Sequence, residues 1–349
     1  MGKPMKKAVI AVSLIVSITS GLPAQPDRGP ITQQRPQRDT VLATVGPGTN
    51  MVSIKVMGDV RVIQANGWPD HAPGQFPNRG NPNSLRPQSY TFRVTAKPAL
   101  AVRLSPDNGA SFGVALNGVP FEPGTAEFWG NDRRWNYEAK SGFINLGLDE
   151  HNAHVQPTGA YHYHGLPIGL IQKLGGSAKK MTMVGYAADG FPIYTNYGYT
   201  DAKDTNSPIK KLSSSYKVKA GLRQGGPGGN YDGKFTADYE YVKGAGDLDE
   251  CNGRFGATPE YPEGIYHYYI TEEFPQLSRY WKGTPDASFR KGPPGGGRGG
   301  PGGPGGQGGP PGGQGGPGGR NGPPGGPGGG RPPGGPGGGP PDGQRPPGF

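Results

Sequence analysis

Three blocks of sequence occur twice in this chain, in the same order, and that self-similarity restricts the fold more than any single motif does. Phe112–Phe121 (FGVALNGVPF) lines up with Val184–Ile193 (VGYAADGFPI). Each has a Gly, an Ala, Asn or Asp followed by Gly, an apolar residue, a Pro and a large apolar side chain. Leu148–Asn152 (LDEHN) then matches Leu248–Asn252 (LDECN), and Gly159–His164 (GAYHYH) matches Gly264–Tyr269 (GIYHYY). The offsets are about 72, 100 and 105 residues, so the second copy holds an insertion of about 28 residues, best placed between Lys203 and Phe235.

The blocks read as β structure. Asn-Gly and Asp-Gly between apolar residues are turn signals, because these residues tolerate positive φ. Met51 to Ile63 alternates, with Val52, Ile54 and Val56 on one side, and Ser89 to Leu104 is rich in strand formers. No stretch longer than about twelve residues carries a helical period. The expectation is a mainly β fold with long loops over 49–290. It would be one globular domain of two diverged, pseudo-twofold units, at about 112–167 and 184–275.

The ends are of a different kind. Lys3, Lys6 and Lys7 precede an apolar run from Ala8 to Ile18, which predicts a signal peptide over 1–24, cleaved near Ala24. The run is too short to span a bilayer, so no stable membrane insertion is expected after cleavage. Of the 58 residues from Gly292 to Phe349, 31 are Gly and 17 are Pro, without a strict three-residue register. Such a composition predicts a disordered tail over 291–349 rather than a collagen helix, and 25–48 reads as a shorter linker of the same kind. The chain is therefore expected to be exported, to a periplasm, a cell surface or the extracellular space.

The flanks also carry most of the net charge of +10: residues 25–291 have 29 basic and 25 acidic side chains. That balance, with no basic stripe interleaved with aromatics, excludes a dedicated nucleic-acid binder. A small molecule or a cell-surface glycan is the expected partner, and oligomeric state is left open. A single cysteine, Cys251, rules out an internal disulfide, so stability must come from a core, a metal or both.

The candidate chemistry lies in the histidines. Four of the six, His151, His154, His162 and His164, fall within fourteen residues as H-x2-H-x7-H-x-H. On a strand His162 and His164 share a face, and Tyr161 and Tyr163 take the other. Two imidazoles so placed can ligate one ion, with His154 and His151 closing the set from the preceding turn. Nitrogen donors suit a transition metal, Zn²⁺ or Cu²⁺ first. The competing readings are a hydrogen-bonded Tyr/His network that fixes the core, and a metal-free catalytic or ligand site.

The second copy has Cys251, Arg254, His267 and Tyr269 where the first has His151, His154, His162 and His164. What both copies share is read as scaffold, and what only the first has as function. A composite site at the pseudo-twofold axis, joined by His267 and by Cys251 as a thiolate, is the open alternative. Asp149, Glu150 and Asp189 are the general-base candidates should there be a reaction, with Asp189 first of all a turn residue. His71 is expected at the surface, and Tyr194, Tyr197 and Tyr199 along a groove.

The segment Gly159–Gly165 (GAYHYHG), with Asn117-Gly-Val-Pro, Asp149-Glu-His-Asn and Gly185–Tyr194, resembles the YHYH family over roughly Thr91 to Tyr280. The resemblance implies an exported protein and no particular reaction. A non-catalytic envelope or surface-binding module, its Tyr/His cluster structural, is the alternative function.

Overall fold

The alternating run after Asn50 folds into an antiparallel meander of β1 (Val52–Met57), β2 (Val60–Ala65) and β3 (Tyr90–Thr95). Gly58, at φ +62°, makes the tight turn between the first two strands. Alternation continues in β3, where Phe92 and Val94 are buried while Thr91 and Arg93 face outward. The structure, a computed structural model, describes residues 48–291. The expected signal peptide, the linker up to residue 47 and the Gly/Pro tail beyond Lys291 lie outside the described residues. Among the described residues no helix is long and apolar enough to cross a membrane.

After the short β4 (Ser105–Pro106), the first repeated block forms β5 (Gly113–Ala115) and β6 (Pro120–Phe121) around the Asn117-Gly118 turn. β7 (Ala153–Val155) and β8 (Tyr161–Tyr163) follow, then a six-residue helix α1 (Ile168–Lys173). The second block gives β9 (Met183–Ala187) and β10 (Pro192–Tyr194) around Asp189-Gly190. Two small ribbons follow, β11 (Tyr197–Tyr199) with β12 (Ile209–Lys211) and β13 (Tyr216–Val218) with β14 (Tyr239–Tyr241), of which β12 and β13 fall between Lys203 and Phe235. The chain then forms β15 (Gly253–Gly256) and β16 (Ile265–Tyr269), and β17 (Tyr280–Trp281) returns to pair with β4.

Eight of these strands make one sheet in the order β15-β16-β10-β9-β5-β6-β8-β7. Outward from the central β5–β9 pair, both directions run through the same pairings: antiparallel, parallel, antiparallel. The central pair is itself antiparallel, with Gly113 opposite Ala187, Val114 opposite Tyr186 and Ala115 opposite Gly185. The fold is thus mainly β, as expected.

The core is aromatic. Tyr161, Tyr163, Tyr186, Tyr194, Tyr268, Tyr269, Phe92, Phe112 and Phe121 are all essentially inaccessible to solvent. Each such ring contributes about 1.5–3 kcal/mol through burial, provided that a tyrosine hydroxyl finds a partner. They do: Tyr161 donates to Asp149, Tyr194 to Glu260, and Tyr268 to Asp189. The full burial of Tyr194 corrects its expected place on a surface groove; Tyr197 and Tyr199, on the exposed ribbon, are half-buried.

Candidate metal centre

Strand geometry assembles three histidines. His154 on β7 lies directly opposite His162 on β8, and His164, two residues on, shares the face of His162. Their Nε2 atoms converge: His164 Nε2 is 3.0 Å from His162 Nε2 and 3.1 Å from His154 Nε2. One ligand atom from each of the three falls within 4.8 Å of the others. Ligand nitrogens about 2.0–2.1 Å from a tetrahedral ion are themselves about 3.3 Å apart, a spacing that the His164–His162 and His164–His154 pairs approach.

The outer nitrogens say where the protons are. His154 Nδ1 lies 2.8 Å from Leu146 O and His162 Nδ1 lies 3.2 Å from Ala160 O. A carbonyl only accepts, so both Nδ1 atoms carry hydrogen and both Nε2 atoms are bare lone pairs aimed inward. Asn81 Nδ2 lies 3.2 Å from His154 Nδ1 and donates to Val155 O at 2.9 Å, but Leu146 O is the nearer neighbour of Nδ1 and can only accept, which sets the proton there. His164 Nδ1 is buried without a partner. If the His164 proton is on Nδ1, three lone pairs face one another. If it is on Nε2, one hydrogen must serve two neighbours. Burial, reinforced by the neighbouring imidazoles, holds the pKa of His162 and His164 well below 6.5, so neither of these two takes up a second proton near neutral pH. A cation at the point of convergence does, and in that sense the donor set fits a transition metal.

One carboxylate that sequence reasoning missed stands beside the cluster. Glu122, just after β6, is carried to β8 by a backbone bond from its N–H to Tyr163 O at 2.9 Å. Its side chain is 8% exposed, and its Oε2 is 3.5 Å from His162 Nε2. With His162 neutral this contact is not an ion pair. A signal did exist: Glu122 follows the shared Pro-Phe/Pro-Ile step, and the second copy has Tyr194 there.

The opposite face of β8 is a different environment, and His151 belongs to it. Its Nδ1 accepts the Gly169 N–H at 3.1 Å and its Nε2–H donates to Ala72 O at 3.0 Å, so neither nitrogen is free to ligate. Its ring packs on His71 with centroids 4.0 Å apart. His71 is half-buried rather than at the surface, because the Tyr163 hydroxyl reaches its Nε2 at 2.7 Å. Tyr163 also accepts from Asn117, which donates to Asp70 as well.

Asp149 organises this face. One oxygen accepts the His151 and Ala153 N–H groups, at 2.9 and 3.1 Å, and the other accepts the Gly74 N–H and the Tyr161 hydroxyl, at 3.0 and 2.5 Å. All of its capacity is used, which suits a scaffold and not a general base. Asp149→Ala would orphan these donors and is expected to cost about 3 kcal/mol, read as a lower urea midpoint at unchanged slope. Glu150 is exposed, with its Oε1 3.6 Å from His151 Nε2. Asp189 is buried in its turn, accepting from Tyr268 and from the Gly283 N–H, and burial pushes its pKa up to about 6.

The second hairpin repeats the frame with other side chains. Asn152 and Asn252 both take positive φ, at +57° and +54°. Asp249 accepts from Cys251 N, Gly253 N and Tyr266, as Asp149 does from His151 N, Ala153 N and Tyr161. Arg254 stands opposite His267. His267 donates through Nδ1 to Ile265 O and accepts the Tyr269 hydroxyl at Nε2, so its nitrogens are also spent; burial lowers its pKa to about 3. Arg254 donates to Tyr199 O at 2.6 Å, its guanidinium 5.5 Å from the centroid of Tyr269. Cys251 is fully buried, and burial raises its thiol pKa, keeping it protonated. Five strand spacings separate β16 from β8, on the order of 24 Å, so the structure does not bring His267 to the cluster.

The sequence model of the YHYH protein family matches residues 91–283, a span that includes the cluster and both hairpins. No curated protein and no solved structure matches the chain.

Proposed function

The chain belongs to the YHYH protein family, and from that premise we propose that it is an exported metal-binding protein whose His154, His162 and His164 hold one transition-metal ion, Zn²⁺ or Cu²⁺. The observation that carries this reading is the pair of 3.0 and 3.1 Å Nε2 separations that join buried His162 and His164 and half-buried His154, two of the three being locked with their lone pairs inward. Proteins do not ordinarily bury unpaired acceptors against one another without a counter-charge. Each Nδ1–H bond to a carbonyl also orients its ring and raises its basicity, as outer partners of metal-bound histidines do. Bound with a vacant coordination position, such an ion supplies Lewis acidity or a hydroxide at neutral pH. Export rests on the charged and apolar pattern of residues 1–24.

A duplication accounts for the rest. The two half-sheets are copies related by a pseudo-twofold axis at the Val114–Tyr186 pair, and only the first keeps the ligands. In the second, the Arg254 guanidinium stands where His154 stands in the first, bringing a positive charge of its own.

The test is elemental mass spectrometry on the full chain purified without a histidine tag, beside the His162→Ala/His164→Ala double variant. We expect close to one ion per chain, lost in the variant with the circular dichroism spectrum retained. A folded wild type that is metal-free and takes up neither Zn²⁺ nor Cu²⁺ on dialysis would overturn the proposal.

A further inference from the structure

Building on the metal reading above, we infer that Glu122 is the fourth ligand and that Lys291 is an internal cation competing with the metal for it. The contacts of Glu122 make the case. Oε1 accepts only a long bond from Ser111 Oγ at 3.4 Å. Oε2 accepts from Gln156 Nε2 and from Lys291 Nζ, both at 2.6 Å, and faces His162 Nε2 at 3.5 Å. That last contact holds no hydrogen, because the His162 proton is spent on Ala160 O. An anionic oxygen and a bare nitrogen lone pair therefore face each other in a site closed to solvent on the Glu122 and His162 side. Their separation is close to the roughly 3.3 Å between neighbouring donors of one tetrahedral ion.

Among the described residues the only positive charge paired with this carboxylate is Lys291, whose side chain is 40% exposed and comes from the end of the described chain. An ammonium held from the surface offsets the buried carboxylate without reaching the three Nε2 atoms. An ion bound by those nitrogens would neutralise Glu122 directly, leaving Lys291 redundant there. Gln156 stays with Oε2 in either state and fixes the orientation of the carboxylate. The second half lacks this arrangement, with the neutral Tyr194 at the matching position, bonded to Thr258 and Glu260.

The inference predicts opposite effects from two single changes. With the metal-free full chain, Zn²⁺ affinity is measured by competition with a chromophoric chelator and coordination by the visible spectrum of the Co²⁺ form. Glu122→Gln should weaken Zn²⁺ binding at least about tenfold and alter the Co²⁺ bands. Lys291→Met should tighten it several-fold, since the competitor is gone while all four donors remain. If the wild type binds one ion and both variants match it in affinity and spectrum, Glu122 is not a ligand. Weaker binding by Lys291→Met would equally exclude the competition. A wild type that binds no ion removes the metal reading itself, and so is told apart from failure of this step. Should Glu122→Gln fail to fold, Lys291→Met carries the test alone.

Discussion

Zn²⁺ in a thousandfold excess over its dissociation constant should raise the melting temperature by roughly 8–16 °C. A ligand at that excess, binding only the folded state, adds about 4 kcal/mol, and a domain of this size shifts by about 2–4 °C per kcal/mol. The direction follows from the cluster. In the metal-free protein the Nε2 atoms of half-buried His154 and buried His162 carry no hydrogens, and that unrelieved conflict is stored in the folded state only. Metal removes it, and chelation should restore the lower value. In His162→Ala/His164→Ala the Zn²⁺ increment should vanish, leaving at most the small shift of adventitious surface binding. Scanning calorimetry of both proteins, with Zn²⁺ and with a chelator, decides the matter. An equal shift in the double variant would place the ion elsewhere and defeat the assignment.

The parts of this site that were legible beforehand were those governed by strand alternation. His162 and His164 share a face because they are two apart, and Tyr161 and Tyr163 point the other way for the same reason. His154 was legible as a member of the histidine cluster but its route was not: it arrives as the cross-strand partner of His162, a matter of register that spacing alone does not determine. His151 was misjudged because four histidines in fourteen residues look like one set. The left-handed Asn152 between it and β7 turns the chain, and position 151 falls behind the strand with His71. Glu122 was invisible to local reasoning because it depends on the parallel pairing of β6 with β8, across 41 residues from Phe121 to Tyr163. Glu122 stands one residue past the first block, where the matching segment has Tyr194, so it differs from its counterpart as His154 and His164 differ from theirs. The Asn-Gly and Asp-Gly turns were the easiest features to read, since their positive φ is a demand on the residue itself: Gly118 sits at +81° and Gly190 at +90°.

The largest stability losses are expected at the seam between the two halves. Gly113 and Gly185 occupy matching positions in the similar segments 112–121 and 184–193, and the antiparallel central pair sets Gly113 opposite Ala187 and Gly185 opposite Ala115. A Cβ on Gly185 would lie 2.4 Å from Val114 O and 2.8 Å from Phe121 Cε2. On Gly113 it would lie 2.5 Å from Tyr186 O and 2.9 Å from Ala187 Cα. These neighbours are mostly backbone in the middle of an eight-stranded sheet, so they cannot swing aside as the tip of a long side chain would. The strands must instead part, straining the ladder that joins the halves. Each Gly→Ala change should cost about 3 kcal/mol, the upper range for overpacking. Gly124→Ala is the control: its Cβ would meet nothing within 4 Å, and its effect should stay within about 0.5 kcal/mol. Because both seam changes press on one pair of strands, their costs should not add. Once one methyl has forced β5 and β9 apart, the second finds room already made, so the double variant should lose clearly less than the sum. Urea unfolding of the wild type, the two single seam variants, the double variant and the Gly124→Ala control measures this. Two small, additive effects would mean that the seam is pliable and that the halves do not depend on close contact there.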